Sequence, residues 1–275
     1  MILIEDHPSD PLVAKYIDRY QYFFIKEKGF FKTIPNGKIE LCIVHSGSFE
    51  VWDDISNIFK PNKPSGFIPA TSSVSLYRVP SHLLCINIKF NLQVLGLPYF
   101  EGFLKNWSNR AVTDFIPKQG IEEIRSLIKP ELNDIPVKKM DQIFATALKE
   151  NDLNNEIVKL TELMVVYIHE DFIVNSLAEE MNMSSKTLER LTKKHFNLSP
   201  KNLWKVIRFE HTTSHIKRSD TQKLIDSLSY GYYDQSHFVK ECKKVTGYSP
   251  KEFFSKLKLS TNDIIFENDN LTDKQ

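Results

Sequence analysis

Short runs that favour β-strands fill residues 39–90, and a helical spacing of apolar residues takes over further along the chain. β-Branched and aromatic residues concentrate at 39–44, 48–52, 74–79 and 84–90, and the last two runs alternate between apolar and polar positions. Proline and glycine occupy the segments between these runs. Short strands at this spacing predict a β-barrel or a β-sandwich.

Beyond Pro98 the apolar residues recur with helical spacing, first at 98–107, 121–129 and 136–150 and then almost continuously from 156 to 258. The polar stretch 151–155 between these regions has the composition of a linker. A length of 275 residues suits two domains. The predicted fold class is therefore α+β. A β-barrel with following helices covers residues 1–150, an all-α domain covers 151–258, and an acidic tail covers 259–275.

Charge is distributed unevenly, although the formal net charge of the whole chain is only +1. Residues 1–181 carry a net charge of −5, residues 182–258 carry +9, and residues 259–275 carry −3. The total alone would argue against a polyanionic partner. A basic block between acidic flanks is instead the distribution expected of a nucleic-acid-binding module.

Two helix-turn-helix patterns occupy this basic block. In the first, Leu177 and Ala178 fall on one face of a short helix, and the small Ala178 lets a second helix cross closely. Asn182 stands at the turn, where a residue that tolerates positive φ is needed. Ser184 is a good N-cap for the helix that follows.

The second helix of this first unit has an apolar side and a polar side. Leu188 and Leu191 are spaced i, i+3 and point into the core. The side chains left on the outer face are Lys186, Glu189, Arg190 and Lys193. An apolar inner side with long polar arms outside is the arrangement that a major-groove reader requires.

The second helix-turn-helix pattern has Gly231 at its turn, Asp234 as N-cap and Phe238 at the start of its buried stripe. Its outward residues near the helix start are Gln235, Ser236, His237 and Lys240. Between the units, Pro200 opens a predicted helix of about 18 residues, or ~27 Å. This length approaches one turn of DNA, about 34 Å, so the helix can space two readers for neighbouring major-groove segments.

Residues 156–256 resemble the AraC/XylS family of bacterial transcription regulators. The resemblance rests on residues 176–181, 184–191 and 195–201, and most strongly on residues 231–238 followed by 246–254. It implies a sequence-specific DNA-binding regulator of transcription with two recognition helices. The base-contacting candidates that it implies are Lys186, Glu189, Arg190, Gln235, Ser236, His237 and Lys240. The phosphate-contacting candidates are Ser184, Ser185, Lys193, Lys194, Lys201, Lys243 and Lys251.

The chain departs from the family pattern at three points. Thr192 and Cys242 stand where the family usually has phenylalanine, so both core positions are smaller. The stretch before Gly231 is one residue shorter than the usual spacing. These departures put in doubt how strongly the second unit reads bases.

The N-terminal half resembles the cupin-like sensor domain of one AraC-type subgroup at residues 35–41, 66–69 and 86–98. The resemblance implies that this domain binds a small-molecule effector or mediates homodimerisation. Double-stranded DNA is the main expected partner, and the sequence leaves open whether RNA polymerase is a second partner. The sequence leaves open the operator, the effector and whether transcription rises or falls.

No constellation of residues predicts catalysis, a bound metal or a cofactor. His211 and His215 have the i, i+4 spacing of a metal pair, but no third ligand stands at a supporting distance in the sequence. Asp53 and Asp54 lack a partner that would make them catalytic. Two other classes stay open: a cupin-like enzyme with an appended helical regulatory domain, and a protein-binding adaptor whose helix-turn-helix units no longer bind DNA.

The expected location is the cytoplasm. No run approaches 18 consecutive apolar residues, and the first residues lack the features of a signal peptide, so no membrane association is expected. Cys42, Cys85 and Cys242 are few, odd in number and far apart, which suits a reducing compartment. We expect them to be small buried apolar side chains.

Overall fold

The computed structural model describes residues 2–63, 65–71, 73–103, 107–148, 154–170, 172–218, 224–257 and 264–267. An N-terminal part made mainly of strands is followed by helices, and strand β10 near the C-terminus returns to the N-terminal part. The two sheets and the helical C-terminal part confirm the predicted α+β class.

Ten strands form two antiparallel sheets of five strands each within these described ranges. The first sheet has the order β1-β2-β9-β4-β7 and the second the order β10-β3-β8-β5-β6. The strands are β1 (Ile2–Asp6), β2 (Ile17–Ile25), β3 (Gly29–Thr33), β4 (Glu40–Gly47), β5 (Glu50–Asp53), β6 (Ile58–Pro61), β7 (Ser65–Ile68), β8 (Ser75–Val79), β9 (Leu83–Phe90) and β10 (Ile264–Glu267). The two sheets are cupin-like but do not close into one continuous barrel.

A hydrophobic cluster joins residues of both sheets, including Phe23, Cys42 and Cys85 from the first sheet and Phe31 and Tyr77 from the second. The rings of Phe31 and Tyr77 stack with centroids 4.8 Å apart. All three cysteines of the chain are buried and free, as the sequence predicts.

The helices lie between β9 and β10 in the chain, apart from one short helix that lies between β1 and β2. The α-helices are α1 (Pro11–Tyr16), α2 (Lys118–Leu127), α3 (Val137–Ala147), α4 (Asn155–Val166), α5 (Val174–Glu180), α6 (Ser185–Phe196), α7 (Pro200–Arg218), α8 (Gln235–Thr246) and α9 (Pro250–Leu257). Segments of 3₁₀ helix include Leu92–Gly96 and Leu224–Tyr230. None of the helices among the described residues is long and apolar enough to span a membrane.

Helix α4 joins the N-terminal sheets to the helix-turn-helix region. Its N-cap Asn154 accepts hydrogen bonds from the backbone amides of Glu156 and Ile157, and its own amide donates to the Gly96 carbonyl at 2.7 Å. A Cβ atom at Gly96 would lie 3.2 Å from the Asn154 carbonyl oxygen, so this close approach favours glycine. Residues 151–153 of the predicted linker lie outside the described residues.

The predicted acidic tail contains an element that the sequence did not predict. Strand β10 pairs antiparallel with β3, with Ile264 opposite Thr33 and Glu267 opposite Phe30. Ile264 and Ile265 are both almost fully buried. The remainder of residues 259–275 lies outside the described residues.

Candidate nucleic-acid interface

The first helix-turn-helix unit consists of α5, a tight turn and α6. Asn182 has a φ of +55° at the turn, as the sequence predicts, and an asparagine tolerates this left-handed conformation. The Ser184 hydroxyl caps α6 by accepting from the amide of Thr187. Ser185 donates its hydroxyl to the Asn175 side chain at 2.6 Å, so this candidate phosphate contact also ties α6 to α5.

The two sides of α6 differ sharply in exposure. Leu188 is fully buried with Leu177 and Ala178 of α5, whereas Leu191 is half-buried against the same cluster. The candidate DNA-contacting side chains Lys186, Glu189, Arg190, Lys193 and Lys194 are all exposed. Helix α6 thus presents a row of long polar side chains to solvent from a rigid apolar base.

The second unit begins with a 3₁₀ helix, Leu224–Tyr230, where the first unit has an α-helix. This tighter helix fits the shortened spacing noted before Gly231. Gly231 has a φ of +67°, and a Cβ atom there would lie 3.0 Å from the Ile168 carbonyl oxygen. The positive φ and the lack of room for a Cβ atom both favour glycine at this turn.

Helix α8 is the second candidate recognition helix. Asp234 caps this helix by accepting a hydrogen bond from the amide of His237 at 2.6 Å. Phe238, on the inner side of the same helix, is fully buried. Its exposed candidate side chains are Gln235, Ser236, His237, Lys240 and Lys243. Candidates Lys201 at the start of α7 and Lys251 at the start of α9 are also exposed.

Thr192 and Cys242, which stand where the family usually has phenylalanine, are both buried in the core of the helix-turn-helix units. Thr192 is completely buried, and its hydroxyl donates to the Glu189 carbonyl at 3.1 Å. Cys242 is also completely buried, and its Sγ lies 3.8 Å from the Thr246 hydroxyl. Desolvation raises the pKa of the Cys242 thiol to about 12, so it is uncharged and unreactive at neutral pH.

A buried arginine organises the second unit, and the sequence analysis did not identify it. The Arg208 guanidinium of α7 lies 4.2 Å from the centroid of the Trp204 ring and 4.0 Å from that of the Tyr232 ring. It donates to the Gly231 carbonyl at 3.0 Å and forms an ion pair with Glu241 of α8. Arg208 therefore links α7, the turn and the second recognition helix.

Tyr233 is a second residue that the sequence analysis missed. Its side chain is 90% exposed directly before the cap residue Asp234. A phenol at the start of a recognition helix can donate a hydrogen bond to a phosphate oxygen. The sequence feature that could have identified Tyr233 is its position between the turn residue Gly231 and the N-cap Asp234.

A groove of about 400 Å³ runs along α8. Its lining includes Asn202 and Lys205 of α7, His237, Lys240 and Lys244 of α8, and Pro35 from the segment between β3 and β4. The groove therefore brings cationic side chains of both helices next to the N-terminal domain. Across the described residues, no group of three His, Cys, Asp or Glu side chains is placed to hold a metal ion.

Lys194 connects the first unit to the N-terminal domain. Its ammonium nitrogen lies 3.1 Å from a carboxylate oxygen of Glu101, and both side chains are largely exposed. The hydrogen bond from Lys194, followed by its positive charge, holds the pKa of the Glu101 carboxyl below its usual value. Exposed ion pairs contribute little to stability, so a phosphate group can compete for this lysine.

His195 is a histidine of α6 whose surroundings disfavour its charged form. Its side chain is buried, and neither ring nitrogen has a hydrogen-bond partner within the described part of the chain. Desolvation, followed by the nearby Lys194 charge, lowers the pKa of His195 below 6.5. The unfolded chain keeps the ordinary value of about 6.5 and so binds the proton more readily. We expect this contribution to stability to be complete above pH 6.5 and to fall as the pH drops below that value.

Urea unfolding between pH 5 and 7.5 tests this expectation. The His195→Gln variant should lose stability less steeply than the wild type on acidification, because residue 195 no longer titrates. Part of the slope should remain, since burial also lowers the pKa of His211. His237→Gln, at an exposed position, serves as the control and should keep the wild-type slope. Equal slopes for His195→Gln and the wild type would contradict the prediction.

Comparison with known proteins places the helical part in a described family. Residues 177–256 match the model of a helix-turn-helix domain. A relative from Haemophilus influenzae, described as an uncharacterised HTH-type transcriptional regulator, is 25% identical over 114 residues, or 42% of this chain. The aligned region spans 37% of that relative's length.

Solved structures share the overall architecture. A crystal structure of apo ToxT from Vibrio cholerae superposes with a TM-score of 0.51 at 11% identity, covering 86% of this chain and 97% of ToxT. A second ToxT structure, at 1.65 Å resolution, gives a TM-score of 0.51 at 12% identity, with coverage of 86% and 98%. At this identity the likeness shows the fold. The helical part is therefore similar to the helix-turn-helix domain of a transcriptional regulator, and the chain shares its overall fold with ToxT.

Proposed function

We propose that this protein binds a specific DNA sequence through both helix-turn-helix units and thereby regulates transcription. The observation that carries the proposal is that the second helices of both units, α6 and α8, lie in the +9 segment 182–258 and each exposes polar side chains at its start. Lysines and backbone amides at helix starts would hold phosphates, and the side chains of α6 and α8 would read base edges.

Helix α7 sets the separation of the two units in this proposal. It has 19 residues, which corresponds to ~28 Å at 1.5 Å per residue. This approaches the distance of about 34 Å between successive major-groove segments on one side of DNA. Buried Leu203, Trp204, Ile207 and Ile216 hold α7 against the units on both sides.

The N-terminal domain would supply regulation. A hydrogen bond of 2.9 Å from Lys32 reaches Tyr248, which directly follows helix α8 of the second unit, and an ion pair of 3.7 Å joins Lys38 to Glu210 of the linking helix α7. An effector or a second copy of the chain could therefore change the placement of this unit. We propose a cytoplasmic protein without catalytic activity, with RNA polymerase and a second copy of the chain as candidate partners.

Binding of purified protein to genomic fragments and to random DNA, at physiological salt, tests the proposal. A regulator of this type should enrich a small set of fragments and bind them far more tightly than random DNA. Equal affinity for both would contradict sequence-specific regulation. If the protein bound neither the genomic fragments nor the random DNA, the result would favour a protein-binding adaptor.

Arg190 and Lys194 should respond differently in this assay. Arg190→Ala is expected to cost about 1–3 kcal/mol of specific binding, because an arginine that reads a base edge loses its bidentate contact. Lys194→Ala should weaken binding to all sequences alike and reduce the slope of log K against log salt by about one.

Lys26→Ala is the matched control, because this lysine lies in the N-terminal domain and pairs there with Glu131. It should leave both affinity and salt slope unchanged. A uniform loss across sequences for Arg190→Ala would remove Arg190 from the base-reading set. An unchanged salt slope for Lys194→Ala would remove Lys194 from the phosphate contacts.

A further inference from the structure

The first recognition helix meets an acidic side chain of the N-terminal domain on its outward side. Lys186, Arg190 and Lys194 follow one another at i, i+4 spacing, so these three exposed cations lie along one side of α6. The Lys194 ammonium nitrogen, at the end of this row, lies 3.1 Å from a carboxylate oxygen of Glu101. A carboxylate of the N-terminal domain thus occupies one cation of the side that is predicted to face DNA.

The backbone that carries Glu101 is held on both sides of this residue. Phe100 and Phe103 are almost completely buried. The Arg110 guanidinium donates hydrogen bonds to the backbone carbonyl oxygens of Tyr99, at 2.6 Å, and of Glu101, at 2.7 Å. The Glu101 side chain itself is 69% exposed. The segment therefore fixes the position of Glu101 and leaves its carboxylate on the surface.

Helix α6 rests on the same core as this segment. Phe100 and Phe103 belong to one hydrophobic cluster with Leu188 and Phe196 of α6. Packing therefore brings the two charged groups together, and the ion pair itself does not have to hold the segment against the helix. An exposed ion pair adds little to stability, so the contact with Lys194 can be exchanged at small cost.

The Glu101 carboxylate and a DNA phosphate offer Lys194 the same chemistry. Both are anions whose oxygens accept charge-assisted hydrogen bonds from an ammonium group. A phosphate that approaches Lys194 must displace the carboxylate or lie beside it, where the two negative charges repel each other. At physiological salt such repulsion is felt only within about 8 Å, so carboxylates elsewhere on the N-terminal domain are largely screened.

We propose that Glu101 competes with DNA phosphate for Lys194 and is thereby an autoinhibitory contact of the first helix-turn-helix unit. DNA binding exchanges the carboxylate for a phosphate at this lysine, and the N-terminal domain lowers the affinity by the cost of that exchange. The proposal rests on the proposed function in one respect, namely that Lys194 meets a phosphate. It requires no particular operator, because phosphates carry no sequence information.

The affinity of the full chain for a DNA duplex of random sequence tests the competition. Glu101→Gln should bind about two- to fivefold more tightly than the wild type at physiological salt, the range expected for an exposed ion pair. The gain should shrink at higher salt because both charges are then screened. Glu131→Gln is the matched control, since it removes the same charge from an exposed pair with Lys26 inside the N-terminal domain. It should leave the affinity at the wild-type level.

A double-mutant cycle assigns the effect to Lys194. In the Lys194→Ala background, Glu101→Gln should no longer change the affinity. Equal affinities of Glu101→Gln and the wild type would overturn the competition. An equal gain for Glu131→Gln, or a gain that persists without Lys194, would also overturn it, because the effect would then reflect overall charge. These outcomes leave DNA binding by the wild type intact, whereas failure of every variant to bind any duplex would overturn the proposed function as well.

Discussion

Replacement of Arg208 by alanine is expected to lower the free energy of unfolding by about 3–5 kcal/mol, the usual cost of removing one partner from a buried ion pair. Arg208 is 2% exposed and lies between the rings of Trp204 and Tyr232. Its loss leaves the Glu241 carboxylate and the Gly231 carbonyl without their donor. The measurement is the midpoint of urea unfolding, followed by a signal from the helical part.

Two further variants separate the charge of Arg208 from its shape. Arg208→Lys keeps the charge but cannot stack between two rings while donating to two acceptors, so most of the loss should remain. The double variant Arg208→Met with Glu241→Leu removes both charges and should be less damaging than the two single changes added together. A loss below about 1 kcal/mol for Arg208→Ala would show that the pair acts like an exposed one.

Lys89→Met is expected to destabilise the N-terminal domain by a similar amount, about 3–5 kcal/mol. The Lys89 side chain is completely buried, and its ammonium nitrogen lies 2.7 Å from a carboxylate oxygen of Glu40 on the neighbouring strand β4. Asn87 donates to the other Glu40 oxygen, at 2.5 Å. Removal of the lysine charge leaves a buried carboxylate that accepts from the neutral donors Asn36 and Asn87.

Thermal and urea unfolding of the Lys89 variants measure this effect. Addition of Glu40→Leu to Lys89→Met should restore part of the lost stability, because the second change removes the uncompensated charge. Lys60→Met is a suitable control, since this lysine is half-exposed in its ion pair with Asp53. Similar losses for Lys60→Met and Lys89→Met would contradict the assignment of the effect to burial.

The helix-turn-helix units could be predicted from the sequence because their signals are local. The caps Ser184 and Asp234 and the turn residues Asn182 and Gly231 act within a few positions of themselves, and the structure has each in its predicted place. Which of the exposed side chains contact DNA stays a prediction.

The elements that the sequence analysis missed depend on distant partners. Strand β2 shows no clear alternation, because most of its residues are buried whichever face they occupy. Strand β10 lies in a polar segment and is defined by pairing with β3, more than 200 positions earlier. Arg208 reads as an ordinary charged helix residue, and its burial arises only when Trp204, Tyr232 and Glu241 come together.

The pairing of β10 with β3 also bears on how the protein is made. Residues 29–33 are synthesised more than 200 residues before residues 264–267, which cover their free edge. Until then, the second sheet has an open edge at β3, and open edges are templates for association with other chains. A chain truncated after residue 257, which lacks β10, should therefore give a lower yield of monomeric protein. It would do so even though the truncated chain keeps every residue predicted to contact DNA.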